Sequence, residues 1–240
     1  MNRAGRLRAW QGRMHDPALT VLLIVQLIAM FVLTPIAAMG LPIPRALVDL
    51  LLVAVIAVVL ALSSSRGAIA LALASVALTI IGEFLRITRP SALTDVIGHG
   101  GTILGFATLA WVVAQAVFAG GRVTTHRIRG AIVLYLNFAM IFTAAYRLVL
   151  ELSPGAFHGV AVAVGPDGPS EQGTLATMLY FSFTTLTSTG FGDIVPVHPI
   201  ARSLANAEAI IGQLYPATLL ARVVTLELQF RRVRGDGGHR

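Results

Sequence analysis

Long runs of hydrophobic residues, separated by short polar links, dominate the chain. Six of these runs are about twenty residues long, the length that an α-helix needs to cross the hydrocarbon of a bilayer. Their predicted bounds are 17–40, 46–62, 68–84, 98–119, 130–150 and 199–226. A seventh run, 175–186, is too short to span and suits a buried half-helix that re-enters the membrane. The pattern predicts an all-α integral membrane protein with six transmembrane helices and a re-entrant segment between helices five and six.

The composition agrees with a membrane environment. Hydrophobic residues make up 56% of the 240 residues and charged residues only 12%, which is too little charge to cover a soluble domain. A cleaved secretory signal is the alternative for the first run. That run is longer than the usual core of about 7–15 residues, and no small-x-small cleavage site closes it. We therefore expect a retained helix surrounded by membrane lipids.

Arginine is the only strongly basic residue type, with 18 copies and no lysine. If the amino terminus is cytoplasmic, five arginines lie outside, namely Arg45, Arg86, Arg89, Arg147 and Arg202, and the other thirteen lie inside. The positive-inside rule then predicts a multi-pass cell-membrane protein with both termini in the cytoplasm. The net charge of +7 serves orientation and contact with anionic lipids, because no clustered basic face with aromatic residues indicates nucleic-acid binding. The arginine-only, alanine-rich composition suggests a prokaryotic source.

The order of the runs divides the chain into four parts. Residues 1–16 form a basic cytoplasmic tail, 17–119 a peripheral four-helix membrane domain, 120–230 a second membrane domain, and 231–240 another cytoplasmic tail. The second domain contains helix five, an outer loop at 153–172 that we expect to be irregular, the short run and helix six. No internal repeat is present, which disfavours a carrier built from inverted repeats.

The sequence TLTSTGFGDIVP at 185–196 contains two glycines around one phenylalanine. A dinucleotide fingerprint would need glycine or alanine at position 195, which is Val195, and a P-loop would need a lysine. A glycine-rich turn between buried helices is the simpler alternative. Alternating glycines also allow successive carbonyls to face one side, which a membrane tolerates where they line a cavity or meet a cation.

The segment Ser188-Thr189-Gly190-Phe191-Gly192-Asp193 resembles the potassium-channel signature, usually written TVGYG and followed by Asp. YFSFTTLT before it and DIVPVHPIARSLANAEAIIGQLY after it resemble the pore helix, outer mouth and inner helix of the bacterial two-helix-pore potassium channel family. The resemblance covers about residues 122–230 and is strongest over 180–226. Helices one to four agree with six-helix members only in number and position.

The resemblance implies a passive, potassium-selective channel that works as a homotetramer, with permeating potassium ions and no cofactor or resident metal. The implied potassium ligands are the backbone carbonyls of Ser188, Thr189, Gly190 and Phe191, with the Ser188 hydroxyl as the innermost ring. Gly192 closes the filter strand, and Asp193 lies at the outer mouth. Domain 120–230 is then the pore domain.

Three residues depart from the family pattern. Ser188 stands where Thr is usual, Thr189 where Val or Ile is usual, and Phe191 where Tyr is usual. A weakly selective cation channel, or a silent subunit that needs a partner chain, is therefore the alternative function. An intramembrane serine protease, which would be an enzyme, lacks the required Gly-x-Ser-Gly nucleophile sequence, so we expect no enzymatic activity.

Further residues are expected to support or gate the filter. Thr184, Thr187 and Glu208 are filter-support candidates, and Glu208 could reach the pore helix through Thr184 or Thr185. The resemblance places Gly212 at the gating hinge of the inner helix, with close helix packing as the alternative. Pro216 should kink the same helix.

The four peripheral helices carry few polar groups. Helix four has no arginine, so we expect no steep voltage gating. Gln26, Gln115 and Asn137 are single polar residues in apolar helices, for which interhelical hydrogen bonds are the better interpretation.

Overall fold

The computed structural model describes residues 18–41, 63, 65–118, 125–160, 164–165, 168–169 and 171–236. This part of the chain contains helices α1 (Ala18–Ala38), α2 (Arg66–Thr88), α3 (Ala92–Val117), α4 (Thr125–Leu152), α5 (Glu171–Leu186) and α6 (Pro199–Asp236). It also contains four two-residue strands, β1 (Phe157–His158), β2 (Val164–Gly165), β3 (Gly168–Pro169) and β4 (Val195–Pro196). The described chain is therefore almost entirely helical, as predicted.

Four of the described helices are long and apolar enough to cross a membrane, namely α1, α2, α3 and the Arg127–Leu152 part of α4. The predicted span at 46–62 lies outside the described residues. Helix α6 is long, but it carries polar and charged residues among the apolar ones and over its whole length is less hydrophobic than α2, α3 and α4. A membrane protein with four apolar helices is thus established, and the total of six spans stays a prediction.

Two helix boundaries differ by six residues or more from those predicted. Helix α3 begins at Ala92 because Ser91 and Thr94 form a capping box, in which the Thr94 N–H donates to Ser91 Oγ at 3.3 Å and the Ser91 N–H to Thr94 Oγ1 at 3.0 Å. The link between α2 and α3 is accordingly residues 89–91. Helix α6 continues to Asp236, so the predicted tail at 231–240 is helical over its first six residues.

Glycines bring α2 and α3 into direct backbone contact. Gly82 lies so close to the backbone of Gly98 that a Cβ atom at position 82 would overlap it. A Cβ atom on Gly101 would lie 2.6 Å from the Thr79 amide nitrogen. Small residues allow this approach in membranes, where van der Waals packing replaces the hydrophobic effect between helices. The two helices therefore form a tightly packed pair.

Helix α1 is attached to α4 by buried polar contacts. Gln26 Nε2 donates to Asn137 Oδ1 at 2.9 Å, and both side chains are fully buried. Arg129 Nη1 also donates to Thr20 Oγ1 at 2.7 Å. The predicted interhelical hydrogen bond is confirmed for Gln26 and Asn137, whereas Gln115 makes no such bond within the described part of the chain.

Helix α1 also packs on the short helix α5. Met30 lies in one buried cluster with Leu136 of α4 and Leu179 of α5, and the rings of Phe31 and Phe183 lie 5.1 Å apart. The contact falls at a π-helical turn of α1, Ala29–Leu33. Helix α5 is thus held between α1 and α4, although it is too short to cross the membrane.

The outer loop is more ordered than its glycine and proline content predicts. Strand β1 pairs antiparallel with β4, with Phe157 opposite Pro196 and His158 opposite Val195. The N–H groups of Val197 and His198 both donate to the Ala156 carbonyl, at 2.9 and 3.1 Å. Backbone pairing with the segment after the glycine motif therefore orders residues 156–158, and an irregular backbone over the other loop residues outside β2 and β3 stays a prediction.

The close α2–α3 contact gives a stability prediction. Gly101→Ala should lower the free energy of unfolding by about 1–3 kcal/mol, because the added methyl group must displace backbone atoms of α2. Gly100→Ala is the matched control, since a Cβ atom there meets nothing within 4 Å. Thermal unfolding in detergent measures both, and equal unfolding temperatures would contradict the described packing.

Candidate functional site

The glycine motif follows the carboxyl end of α5 and has an alternating backbone. Ser188, Gly190 and Gly192 have φ angles of 54°, 54° and 80°, whereas Thr189 and Phe191 between them keep negative φ. Glycine adopts positive φ without cost, but serine pays about 1–2 kcal/mol. Ser188 is the one described residue other than glycine with positive φ. Such local strain points to a functional constraint on the backbone at this position.

The backbone N–H groups of this segment point back to α5. Ser188 N–H donates to the Thr185 carbonyl at 2.9 Å, and the N–H groups of Thr189 and Gly190 donate to the Thr184 carbonyl at 2.8 and 3.1 Å. In a trans peptide the N–H and the C=O point in opposite directions. The carbonyls of Thr187, Ser188 and Thr189 therefore point away from α5, and none accepts a hydrogen bond in the described part of the chain.

Two of the expected support residues contact this segment directly. Thr184 supplies the carbonyl that receives two N–H groups, while its own hydroxyl donates to the Phe181 carbonyl at 2.9 Å. Thr187 Oγ1 donates to the Phe183 carbonyl at 2.7 Å and lies 2.8 Å from Thr189 Oγ1. The Thr189 hydroxyl, which replaces an apolar side chain of the family pattern, thus has a partner.

Glu208 is fully buried and connects three helices. Its carboxylate accepts hydrogen bonds from Ser182 Oγ of α5 at 2.5 Å and from the Tyr146 hydroxyl of α4 at 2.6 Å. The expected contact with Thr184 or Thr185 was wrong, because Ser182 is the hydroxyl on the face of α5 that packs against α4 and α6. Glu208 therefore supports α5 from behind the glycine motif.

The last carbonyl of α5 is fixed from two sides. The Tyr135 hydroxyl of α4 donates to the Leu186 carbonyl at 3.2 Å, and Gly212 of α6 lies so close to the same carbonyl that no Cβ atom fits. The close helix contact considered for Gly212 is therefore present. Helix α6 remains helical through Pro216, and a hinge at these two residues stays a prediction.

Two further contacts at this site were not predicted from the sequence. Gln213 Nε2 donates to Ser188 Oγ at 2.8 Å, and the Tyr180 ring stacks on the Phe191 ring at 6.2 Å with an interplanar angle of 1°. An amide directly after Gly212 in an apolar helix was a signal for the first contact. No pattern in the sequence indicated the second, because it depends on how the chain returns past α5.

Comparison with known proteins relates the region that contains α5, the glycine motif and most of α4 and α6 to ion channels. Residues 130–228 match a family model described as ion channel. The voltage-gated delayed rectifier potassium channel KCNH1 of Rattus norvegicus is 38% identical over 82 residues, which is 34% of this chain and 8% of that protein. The corresponding channel KCNH5 of Homo sapiens is 29% identical over 90 residues, 38% of this chain and 9% of that protein. Protein LctB of Bacillus caldotenax is 30% identical over 125 residues, 51% of this chain and 87% of that protein.

The helices and the matched region define a membrane channel protein and not an enzyme. The chain belongs to the ion channel family and is a homologue of potassium channels. It spans less than a tenth of the length of KCNH1 and KCNH5, so the likeness to them concerns a small part of those proteins. The expected potassium-channel family is confirmed at this level.

The buried carboxylate gives a second stability prediction. Glu208→Ala should lower the free energy of unfolding by about 3 kcal/mol, because it leaves the buried Tyr146 hydroxyl without its acceptor, removes one of the two acceptors of the Ser182 hydroxyl and opens a cavity between the helices. Glu83→Ala is the control, since Glu83 forms an exposed ion pair with Arg86 at 2.9 Å and such pairs contribute little. Thermal unfolding of both variants checks this, and similar losses would contradict a supporting role of Glu208.

Proposed function

We propose that the chain is the subunit of a passive potassium channel and that residues 188–192 form its selectivity filter. The observation that carries the proposal is the alternating backbone of this segment, whose N–H groups donate to α5. The carbonyls turned away from α5 are hard oxygen ligands of the kind that replace the water shell of potassium. Permeating potassium is the one ligand required, and no cofactor takes part.

The filter needs several copies of the chain. Residues 187–193 are exposed in the single chain, and exposed backbone at membrane depth is tolerated only where it lines a cavity or meets protein. One strand offers carbonyls from a single side and cannot surround an ion. Four strands around a common axis form closed oxygen rings, so the working unit we propose is a homotetramer.

The surroundings of the filter fit this arrangement. Asp193 follows the last glycine and is exposed, where its negative charge would raise the local cation concentration at the outer mouth. At the opposite end, α6 presents the exposed side chain of Gln213, and this polar group suits the wall of a water-filled cavity. We propose α5 as the pore helix and α6 as the inner helix, with Gly212 and Pro216 as the candidate gating hinge.

The two domains have separate roles in this proposal. Residues 120–230 form the pore domain, and 17–119 form a peripheral domain within a prokaryotic cell membrane, with both termini in the cytoplasm. Helix α3, the fourth predicted span, contains no arginine or lysine, and it packs tightly on α2 through glycine. Steep voltage sensing needs several charges that move through the field, so this domain does not supply it.

Weak selectivity is the second candidate function. It rests on the replacements at Ser188, Thr189 and Phe191. The described contacts favour an ordered filter, because the Thr189 hydroxyl has Thr187 as a partner and the Phe191 ring stacks on Tyr180. A silent subunit that needs a partner chain is distinguished by the flux experiment below.

Flux through liposomes tests the proposed function. The purified protein should carry potassium at least about tenfold faster than sodium, because carbonyl rings replace the water shell of the larger ion. Gly190→Ala should lower flux at least about tenfold, because alanine pays about 1–2 kcal/mol at a φ of 54° and adds to the cost that Ser188 already carries in the same strand. Gly155→Ala is the control, because Gly155 has a φ of 85° in the outer loop with nothing within 4 Å of a Cβ atom.

Equal potassium and sodium flux would contradict selectivity and favour the weakly selective channel. An intact tetramer that carries neither potassium nor sodium, even after reconstitution at high protein density, would favour the silent subunit. Full activity of Gly190→Ala would contradict the assignment of the filter.

Voltage dependence is a separate prediction. Single-channel recording should give an apparent gating charge below about one elementary charge per chain, because each charge contributes only about 2.3 kcal/mol per 100 mV and α3 carries no cationic side chain. Replacing Asp95 of α3 with Asn should leave the open probability unchanged at every voltage. A gating charge of several elementary charges per chain would contradict the proposed role of the peripheral domain.

A further inference from the structure

The hydrogen bond between α6 and the inner end of the filter has a role of its own. Gln213 Nε2 donates to Ser188 Oγ at 2.8 Å across 25 residues of sequence. We infer that Gln213 is a positioning residue that fixes the orientation of the Ser188 hydroxyl and thereby sets ion selectivity. The inference rests on the proposed function of residues 188–192.

Serine at the innermost position needs an external constraint. A β-branched side chain such as threonine has few allowed χ1 rotamers, but serine lacks the methyl group that restricts it. The N–H of Ser188 donates to the Thr185 carbonyl and fixes the backbone, whereas the hydroxyl would be free to rotate without a contact of its own. The amide of Gln213 supplies the missing restriction from outside the filter strand.

The hydrogen bond leaves the hydroxyl able to bind an ion. A serine oxygen has two lone pairs and one hydrogen, and the Gln213 N–H occupies one lone pair. The second lone pair remains for a cation at the inner end of the filter. Both side chains are exposed, so water and ions reach this position, in contrast to the buried bonds of Glu208.

Backbone contacts fix the position from which Gln213 reaches Ser188. The preceding residue, Gly212, lies directly against the carbonyl of Leu186 at the end of α5. Ser188 follows two residues after that carbonyl and is held to α5 through its own N–H. Because the two backbones are fixed at the same point, the Gln213 amide lies within hydrogen-bond reach of the Ser188 hydroxyl.

Four variants in potassium and sodium flux assays test the inference. Gln213→Met keeps the length and the unbranched stem but has no N–H, and it should lower the potassium-to-sodium permeability ratio by about fivefold. Ser188→Thr serves as the reference background, because its added methyl group restricts the hydroxyl, and Gln213→Met should lower the ratio of this background by at most about twofold. In the double variant Ser188→Thr with Gln213→Met, the logarithm of the potassium-to-sodium permeability ratio should recover at least half of the decrease that Gln213→Met causes alone.

Thr218→Ala is the control for a polar change on the same helix. The Thr218 hydroxyl donates to the Leu214 carbonyl of its own helix at 2.8 Å and is exposed, so its removal should leave the ratio unchanged. Tetramer content by size-exclusion chromatography and the unfolding temperature should be equal for all variants, because the exposed bond contributes little to the fold.

Each outcome decides the inference. An unchanged ratio in Gln213→Met, or the same fivefold fall with and without Ser188→Thr, would overturn it. A fall in ratio that accompanies loss of the tetramer would also overturn it, since Gln213 would then be a structural residue. Lack of selectivity in the unchanged protein would instead contradict the proposed function, which separates the two failures.

Discussion

The structure depends on a conformational constraint at the end of α5. Three residues in alternation, Ser188, Gly190 and Gly192, adopt left-handed backbone angles, and one of them is not a glycine. An extended strand would direct its peptide groups alternately to both sides. In this segment the first three N–H groups all donate to carbonyls of α5, so the carbonyls of the same peptide groups point away from α5. The cost of left-handed serine is small, but it persists only where the surroundings impose it.

The surrounding helices impose this geometry through a few contacts on α5. Glu208 binds Ser182 from α6, and Tyr135 and Gly212 fix the last carbonyl of the helix. Beyond residues 188–192, the β1–β4 pair attaches the returning chain to the outer loop. The proposed filter segment is thus fixed at both ends, while its own residues make few side-chain contacts. In the proposed channel, the open edge of this strand is the one that faces the ions.

The sequence predicted the parts that depend on local pattern. The apolar runs located α1, α2, α4 and the end of α5, and the glycine spacing located the strained backbone. Contacts between distant segments were not predictable in the same way. The partners of Glu208 depend on which face of α5 packs inward. The pairing of Phe157 with Pro196 depends on the path that the chain takes from the glycine motif back to the outer loop. Hydropathy alone contains neither kind of information, because it reports burial and not the identity of the neighbour.

The proposed filter requires the backbone carbonyls of residues 188–191 to lie directly against a bound ion. Anomalous X-ray diffraction from crystals of the assembled protein grown in rubidium, a heavier ion of similar size to potassium, would locate these ions. The account predicts a row of rubidium sites on a fourfold axis, each within about 3 Å of backbone oxygens of this segment. An assembly without that axis, or rubidium bound away from residues 188–191, would contradict it.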